Sequence, residues 1–126
     1  MEKSFSERVA EAKAKVSAIS PQEAKERKAN EPDILFIDPR SAADISATTG
    51  IIPGALNVPL SELHEKSDHE LPQELGSHSR PIIAACEAGP MGALAAYALK
   101  QRGFRNVAFM DGGTRGWLEA GYATAR

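Results

Sequence analysis

Cys86 is the only cysteine of the chain, and its surroundings are the stretch best suited to chemistry. It follows the apolar run Ile82-Ile83-Ala84-Ala85 and precedes Glu87-Ala88-Gly89-Pro90-Met91-Gly92, after which a helical pattern continues to Arg102. Where a strand hands over to a helix, a thiol meets the helix's unpaired N–H groups and the positive end of its dipole. Both favour thiolate over thiol. Thiolate is the form that attacks sulfur or phosphorus. The amides of Glu87 to Gly92 are expected to converge on the sulfur, with Gly89 and Gly92 letting the loop curl tightly. Pro90 removes one amide from that set, and Glu87 adds a negative charge beside the nucleophile. No histidine base is needed where the thiolate exists at rest.

The elements that position this loop follow from pattern. Phe5, Val9, Ala12, Val16 and Ile19 recur at helical spacing between Glu, Lys and Arg, which predicts a helix over Ser4–Ile19 with a Ser4/Glu7 capping box. Its stripe is expected to bury against the domain or against a second copy, as in a homodimer. Ser20 caps a second helix that begins at Pro21 and runs to about Lys28. Ile34–Asp38, Ile82–Cys86 and Val107–Met110 read as buried strands, and Ala55–Val58 as a weak one. Ser41–Gly50 reads as a polar loop with a helical turn. A helix starts near Pro59 with Ser61 as its cap, and Glu65–Ser79 reads as polar and mobile apart from a turn at Leu71–Leu75. Pro90–Arg102 is a helix stopped by Gly103. After the tight turn Asp111-Gly112-Gly113, a short helix covers Arg115–Ala120. Strands that alternate with helices imply an α/β fold with a parallel sheet covered on both faces.

Bulk properties exclude several functions. The chain has 126 residues, 42% hydrophobic and 25% charged, which fits one globular domain with its own core. A formal net charge of −2 gives no electrostatic reason to expect nucleic acid or an anionic membrane as partner. One cysteine excludes an internal disulfide, and no Cys/His cluster has the spacing of a zinc site, so neither metal nor cofactor is expected. Met1–Lys15 is rich in Glu and Lys, unlike a secretory signal, and no apolar run has membrane-spanning length. The expected location is cytoplasmic, where a thiol stays reduced.

Four segments in order resemble the rhodanese domain family. Asp38-Pro39-Arg40 is similar to its Asp-x-Arg, and Gly50-Ile51-Ile52-Pro53-Gly54-Ala55-Leu56-Asn57-Val58-Pro59 to its Gly-His-Ile-Pro-Gly-Ala-x-Asn-x-Pro. Cys86-Glu87-Ala88-Gly89 resembles the active-site Cys-x-x-Gly. Gly103-Phe104, Val107, Gly112-Gly113, Trp117 and Ala120-Gly121 resemble the closing segment. The resemblance implies a rhodanese-like three-layer α/β/α fold, a five-stranded parallel sheet flanked by helices. Residues 19–126 would form that domain, and residues 1–18 an extra N-terminal amphipathic helix. It also implies a sulfurtransferase in which Cys86, as a persulfide, moves sulfane sulfur from thiosulfate or a persulfide to cyanide or a thiol. The donor would be a small molecule or protein-bound. The substrate loop would be Glu87, Ala88, Gly89, Pro90, Met91 and Gly92, supported by Asp38, Arg40 and Arg115.

Departures from the family pattern shape the expectation. Met91 stands where many members carry Arg or Lys, and Ile51 stands at the family histidine position. With Glu87 beside the sulfur, weak activity toward thiosulfate is expected. Arg40 can hold an anion or pair with Asp38, Asp44 or another carboxylate; the structural pairing is the expected role, with Asp38 as loop organiser. Arg115 is the candidate for extra positive charge at the pocket, or equally a solvated helix residue. Trp117 is expected in the core, and His64, His69 and His78 at the surface. Two other functions share the fold. A rhodanese-like phosphatase or arsenate reductase needs Cys-x5-Arg, and Gly92 holds the arginine's position here. A non-catalytic binding or redox-sensing module would present Cys86 for oxidation or docking.

Overall fold

The computed structural model describes residues 3–125; Met1, Glu2 and Arg126, the outermost residues of the two expected segments, lie outside the described residues. The first helix, α1 (Phe5–Lys15), starts from the expected capping box: Ser4 Oγ accepts the Glu7 N–H and Glu7 Oε1 accepts the Ser4 N–H. It ends earlier than its apolar spacing predicts. Val16 is extended, and Ser17–Ile19 forms an edge strand, β1, instead of a last helical turn. Two causes converge. Val16 is β-branched and Ser17 a poor helix former, and Ser20 must itself be extended to cap the next helix. The ladder to a strand at the far end of the chain then satisfies the backbone. The apolar stripe divides accordingly: Ala12 is buried, Val9 and Val16 pack against the core, and Phe5 stays 54% exposed.

Ser20 caps α2 (Pro21–Asn30), again with a reciprocal bond to Glu23. Next comes β2 (Leu35–Asp38), every residue of it buried. The expected polar loop holds a short helix, α3 (Ala42–Ala47), because Ser41 Oγ caps the Asp44 N–H. The weak strand is β3 (Leu56–Asn57), and α4 (Leu60–Glu65) follows with Pro59 at its cap. Ser61 lies inside that helix and caps nothing, since Pro59 already sets the entry angle.

Residues 65–79 are more ordered than their polarity suggests. They contain two single 3₁₀ turns, Asp68–Glu70 and Gln73–Leu75, with Leu71 and Leu75 buried in the core. Arg102 holds this segment, donating from Nε to Leu63 O at 2.9 Å, from Nη1 to Asp68 Oδ1 at 2.7 Å and from Nη2 to Lys66 O. His64 and His69 are exposed, as expected of surface residues. His78 is only partly at the surface: its ring tilts against Phe104 with centroids 4.7 Å apart, and it lies 3.5 Å from Asp68 Oδ2.

The chain closes with β4 (Ile82–Ala84), α5 (Pro90–Gln101), β5 (Val107–Met110) and α6 (Gly113–Glu119). The five strands form one parallel sheet in the order β1-β5-β4-β2-β3. Alternate strand residues separate two cores. Leu35, Ile37, Ile82, Ala84 and Phe109 pack under α1, α4 and α5, whereas Ile34, Phe36, Ile83, Ala85 and Met110 face α2 and α6. Trp117 closes the second core, edge-on to Phe36 at 5.8 Å and to Tyr122 at 4.8 Å. This is the expected three-layer α/β/α architecture.

Topology then locates the crevice. From β2 the chain moves outward to β3, and from β4 it moves the opposite way to β5. β2 and β4 are neighbours, so their C-terminal ends flank a topological switch point, where open α/β sheets bind ligands. Asp38-Pro39-Arg40 leaves β2 at this point, and Cys86 leaves β4 beside it.

Candidate active site

Ala85 N–H still reaches across to Ile37 O at 2.9 Å; Cys86 is the first residue past the last strand bond. Its peptide and the next are fixed by the first turn of α6, whose amides have no acceptor within their own helix. Thr114 N–H donates to Cys86 O at 2.7 Å and Arg115 N–H to Glu87 O at 3.0 Å. In a trans peptide the N–H points opposite the carbonyl, and cis bonds are absent from the described residues. The N–H groups of Glu87 and Ala88 are therefore directed away from α6. Gly113 makes this approach possible, since a Cβ there would lie 2.6 Å from both Cys86 O and Glu87 O.

The chain turns into α5 at Gly89, whose φ of 129° suits only glycine. This turn aims Gly89 N–H at Cys86 Sγ, 2.9 Å away. An amide directed at sulfur stabilises negative charge there. The expected convergence of several amides narrows to this bond: among the described residues, Gly89 alone donates to Sγ. Of the later amides, Ala93 N–H is the first that helix geometry takes up, donating to Gly89 O at 3.1 Å, and Pro90 has none to offer. Gly92 also has a different task from the one expected. It sits in the first turn of α5, where a Cβ would meet Ala84 O at 3.0 Å, so it allows helix and strand to approach closely.

Cys86 is 3% exposed, yet it lies on an open pocket of about 470 Å³. Ala88, Pro90, Met91 and Phe5 supply apolar lining, while Arg40, Asp44, Thr48 and Glu87 supply polar lining. Nothing in the sequence marks Phe5 or Thr48 as a site residue, and it points to Asp44 only as an ion-pair partner. Helical spacing placed Phe5 in the buried stripe, and nothing local reveals which long-range neighbours Asp44 and Thr48 acquire.

Arg40 performs the structural pairing expected of it and also reaches the site. Its Nε donates to Asp38 Oδ1 at 3.0 Å and its Nη2 to Asp38 Oδ2 at 2.7 Å, a bidentate pair with both residues buried. Nη1 donates to Thr48 Oγ1, and Nη2 also reaches Thr49 Oγ1 and Gly50 O. Burial opposes the charge on Arg40, but the bonds to Asp38, aided by attraction to Asp38, Cys86 and Glu87, outweigh it and raise its pKa above the usual arginine value. Asn57 steadies the same turn, donating from Nδ2 to Asp38 O at 3.0 Å and to Arg40 O at 2.7 Å. Its place within the Gly-Ala-Leu-Asn segment was the signal for this role.

Arg115 is neither free charge for the pocket nor a purely solvated residue. Its Nε donates to Glu87 Oε2 at 2.7 Å, and Nη2 lies 2.6 Å from the same oxygen. Glu87 thus adds less uncompensated charge beside Cys86 than its position in the sequence suggests. Ile51, at the family histidine position, is occupied in an antiparallel bridge to Ala125.

Several known proteins are similar to this chain. A protein of Allochromatium vinosum named a sulfurtransferase is 28% identical over 106 residues, covering 84% of this chain and 92% of its own length. The solution structure of a polysulfide-sulfur transferase homodimer from Wolinella succinogenes matches with a TM-score of 0.76 at 25% identity, covering 96% of this chain and 86% of that one. A Rhodopseudomonas palustris protein of unknown function, described as a possible tyrosine phosphatase, matches with a TM-score of 0.84 over 99% of this chain and 96% of that one. At 22% identity the last likeness is one of fold alone. The model of the rhodanese-like domain matches residues 20–120, so the chain belongs to the rhodanese-like family, whose sulfurtransferase members it resembles.

Proposed function

We propose that this protein transfers sulfane sulfur through a persulfide on Cys86. The observation that carries the reading is a sulfur on a pocket floor that accepts Gly89 N–H, in a loop whose carbonyls are turned away by α6. In the first step the thiolate attacks the outer sulfur of a donor. The Sγ–S bond forms, the donor's S–S bond breaks, and the leaving group, sulfite from thiosulfate or a thiolate from a persulfide, departs with the electron pair. In the second step a thiolate or cyanide attacks the outer sulfur of Cys86–S–S⁻ and restores the Cys86 thiolate. The names of the relatives support the same class of reaction.

Phosphoryl transfer is the weaker reading. A clamp arginine at position 92 would need side-chain space where a Cβ already meets Ala84 O at 3.0 Å. The other arginines near Cys86 are committed to carboxylates, Arg40 to Asp38 and Arg115 to Glu87.

The charges favour a singly charged organic donor over the thiosulfate dianion. Among the described residues, the lining charges Arg40 and Glu87 are each paired, with Asp38 and Arg115, which leaves the Asp44 carboxylate as the lining charge without an ion-pair partner. Steady-state transfer to a thiol acceptor, compared across thiosulfate and an alkyl persulfide, tests the reading. The persulfide is expected to have a kcat/KM about tenfold or more higher, and Asp44→Asn to raise the thiosulfate value about threefold, as suits an exposed charge. Transfer from no donor at all would overturn the function, and faster turnover with thiosulfate would overturn the preference.

A further inference from the structure

We infer that Phe5, carried on α1, is a specificity-determining wall of the Cys86 pocket that selects donors with an aromatic or bulky apolar leaving group. This rests on the sulfurtransferase reading and goes beyond it by assigning the substrate class to a helix outside the matched family segment, which begins at residue 20.

Helix packing does not explain Phe5. Val9, Ala12 and Val16 attach α1 to the core, whereas Phe5 is 54% exposed, the most exposed large hydrophobic side chain among the described residues. Its location has another cause. α1 runs alongside α5 in the same direction: Lys100 Nζ near the end of α5 donates to Lys15 O at the end of α1 at 2.7 Å, while Phe5 shares a pocket with Pro90 and Met91 at the start of α5. The first residue of α1 therefore stands at the same edge of the sheet as Cys86.

The chemistry of that edge suits an aryl group. Phe5, Met91, Pro90 and Ala88 present carbon and a thioether, and Met sulfur makes favourable contacts with aromatic rings. The polar neighbours Arg40 and Glu87 are already bonded to Asp38 and Arg115. A ring seated between Phe5 and Met91 needs no further polar partner. An arenethiosulfonate meets these requirements: the Cys86 thiolate attacks its terminal sulfur, the S–S bond breaks, and arenesulfinate leaves with the electron pair. No external oxidant or reductant enters the step.

The test compares kcat/KM for benzenethiosulfonate and thiosulfate in the parent chain, Phe5→Ala and Phe5→Lys. The ratio of the two is expected to fall about tenfold in Phe5→Ala, mainly through KM of the aromatic donor, and further in Phe5→Lys, whose ammonium favours the dianion. An unchanged ratio in both variants overturns the inference. A second measurement needs no turnover: NMR titration of benzenesulfinate into Cys86→Ser protein, with and without Phe5→Ala. Binding weakened about tenfold by Phe5→Ala supports the wall even if no donor transfers sulfur, in which case only the proposed function falls. Sulfur transfer accompanied by Phe5-independent binding and ratios overturns the wall alone.

Discussion

Gly113→Ala is expected to lower stability by about 3 kcal/mol or more and to reduce persulfide formation on Cys86 about a hundredfold. Two separate costs meet at this position. A non-glycine residue at φ 62° is strained by about 1 kcal/mol. The added Cβ also lies 2.6 Å from Cys86 O and 2.6 Å from Glu87 O, both backbone atoms that cannot swing aside as a side chain would. Relief requires α6 to move away from the loop. That movement breaks the bonds from Thr114 N–H to Cys86 O and from Arg115 N–H to Glu87 O, which set the orientation of the loop peptides. Gly121 separates strain from overlap, since it has φ 94° but a Cβ added there would meet no atom within 4 Å. Gly121→Ala should cost only the strain and leave sulfur chemistry intact. Equal effects of the two substitutions on urea unfolding and on persulfide formation would refute the role given to α6.

Asp38→Ala is expected to destabilise the fold by about 3–5 kcal/mol, because it leaves the guanidinium of Arg40 buried without its carboxylate. Thr48, Thr49 and Gly50 keep their contacts with Arg40, but they carry no compensating charge. Removing both charges in Asp38→Ala/Arg40→Met should recover much of the loss, since an apolar pair can replace a buried ion pair at small cost. The double variant should nevertheless transfer sulfur poorly, as Arg40 is the only cation on the pocket lining among the described residues. Urea midpoints of the three proteins check the stability statement. A double variant less stable than Asp38→Ala would contradict it.

What could be read in the chain was local. The step from Ile82-Ile83-Ala84 through Cys86 into the helix at Pro90, the capping serines Ser4 and Ser20, and the pairing of Arg40 with Asp38 all depend on neighbours a few residues apart. Long-range pairing hid the rest. Ser17–Ile19 continues a helical apolar spacing and becomes a strand only because β5 supplies its ladder. Glu87 looked like an isolated charge beside the sulfur, and Arg115 pairs with it only after α6 has docked on the loop. In residues 65–79 only the turn ending at Leu75 is legible, because the rest of their order comes from Arg102 and from the burial of Leu71 and Leu75 rather than from periodicity. Phe5 fitted a buried stripe, and the direction of α1 relative to α5 carried it to the pocket instead.

The central claim is that Cys86 itself carries the sulfur, and the intact mass of the protein after exposure to an organic persulfide tests it most directly. The account predicts a gain of one sulfur atom per chain, removed by cyanide and absent from Cys86→Ser. A mass that no donor alters, or a gain that persists in Cys86→Ser, would contradict it and leave Cys86 to a binding or redox-sensing role.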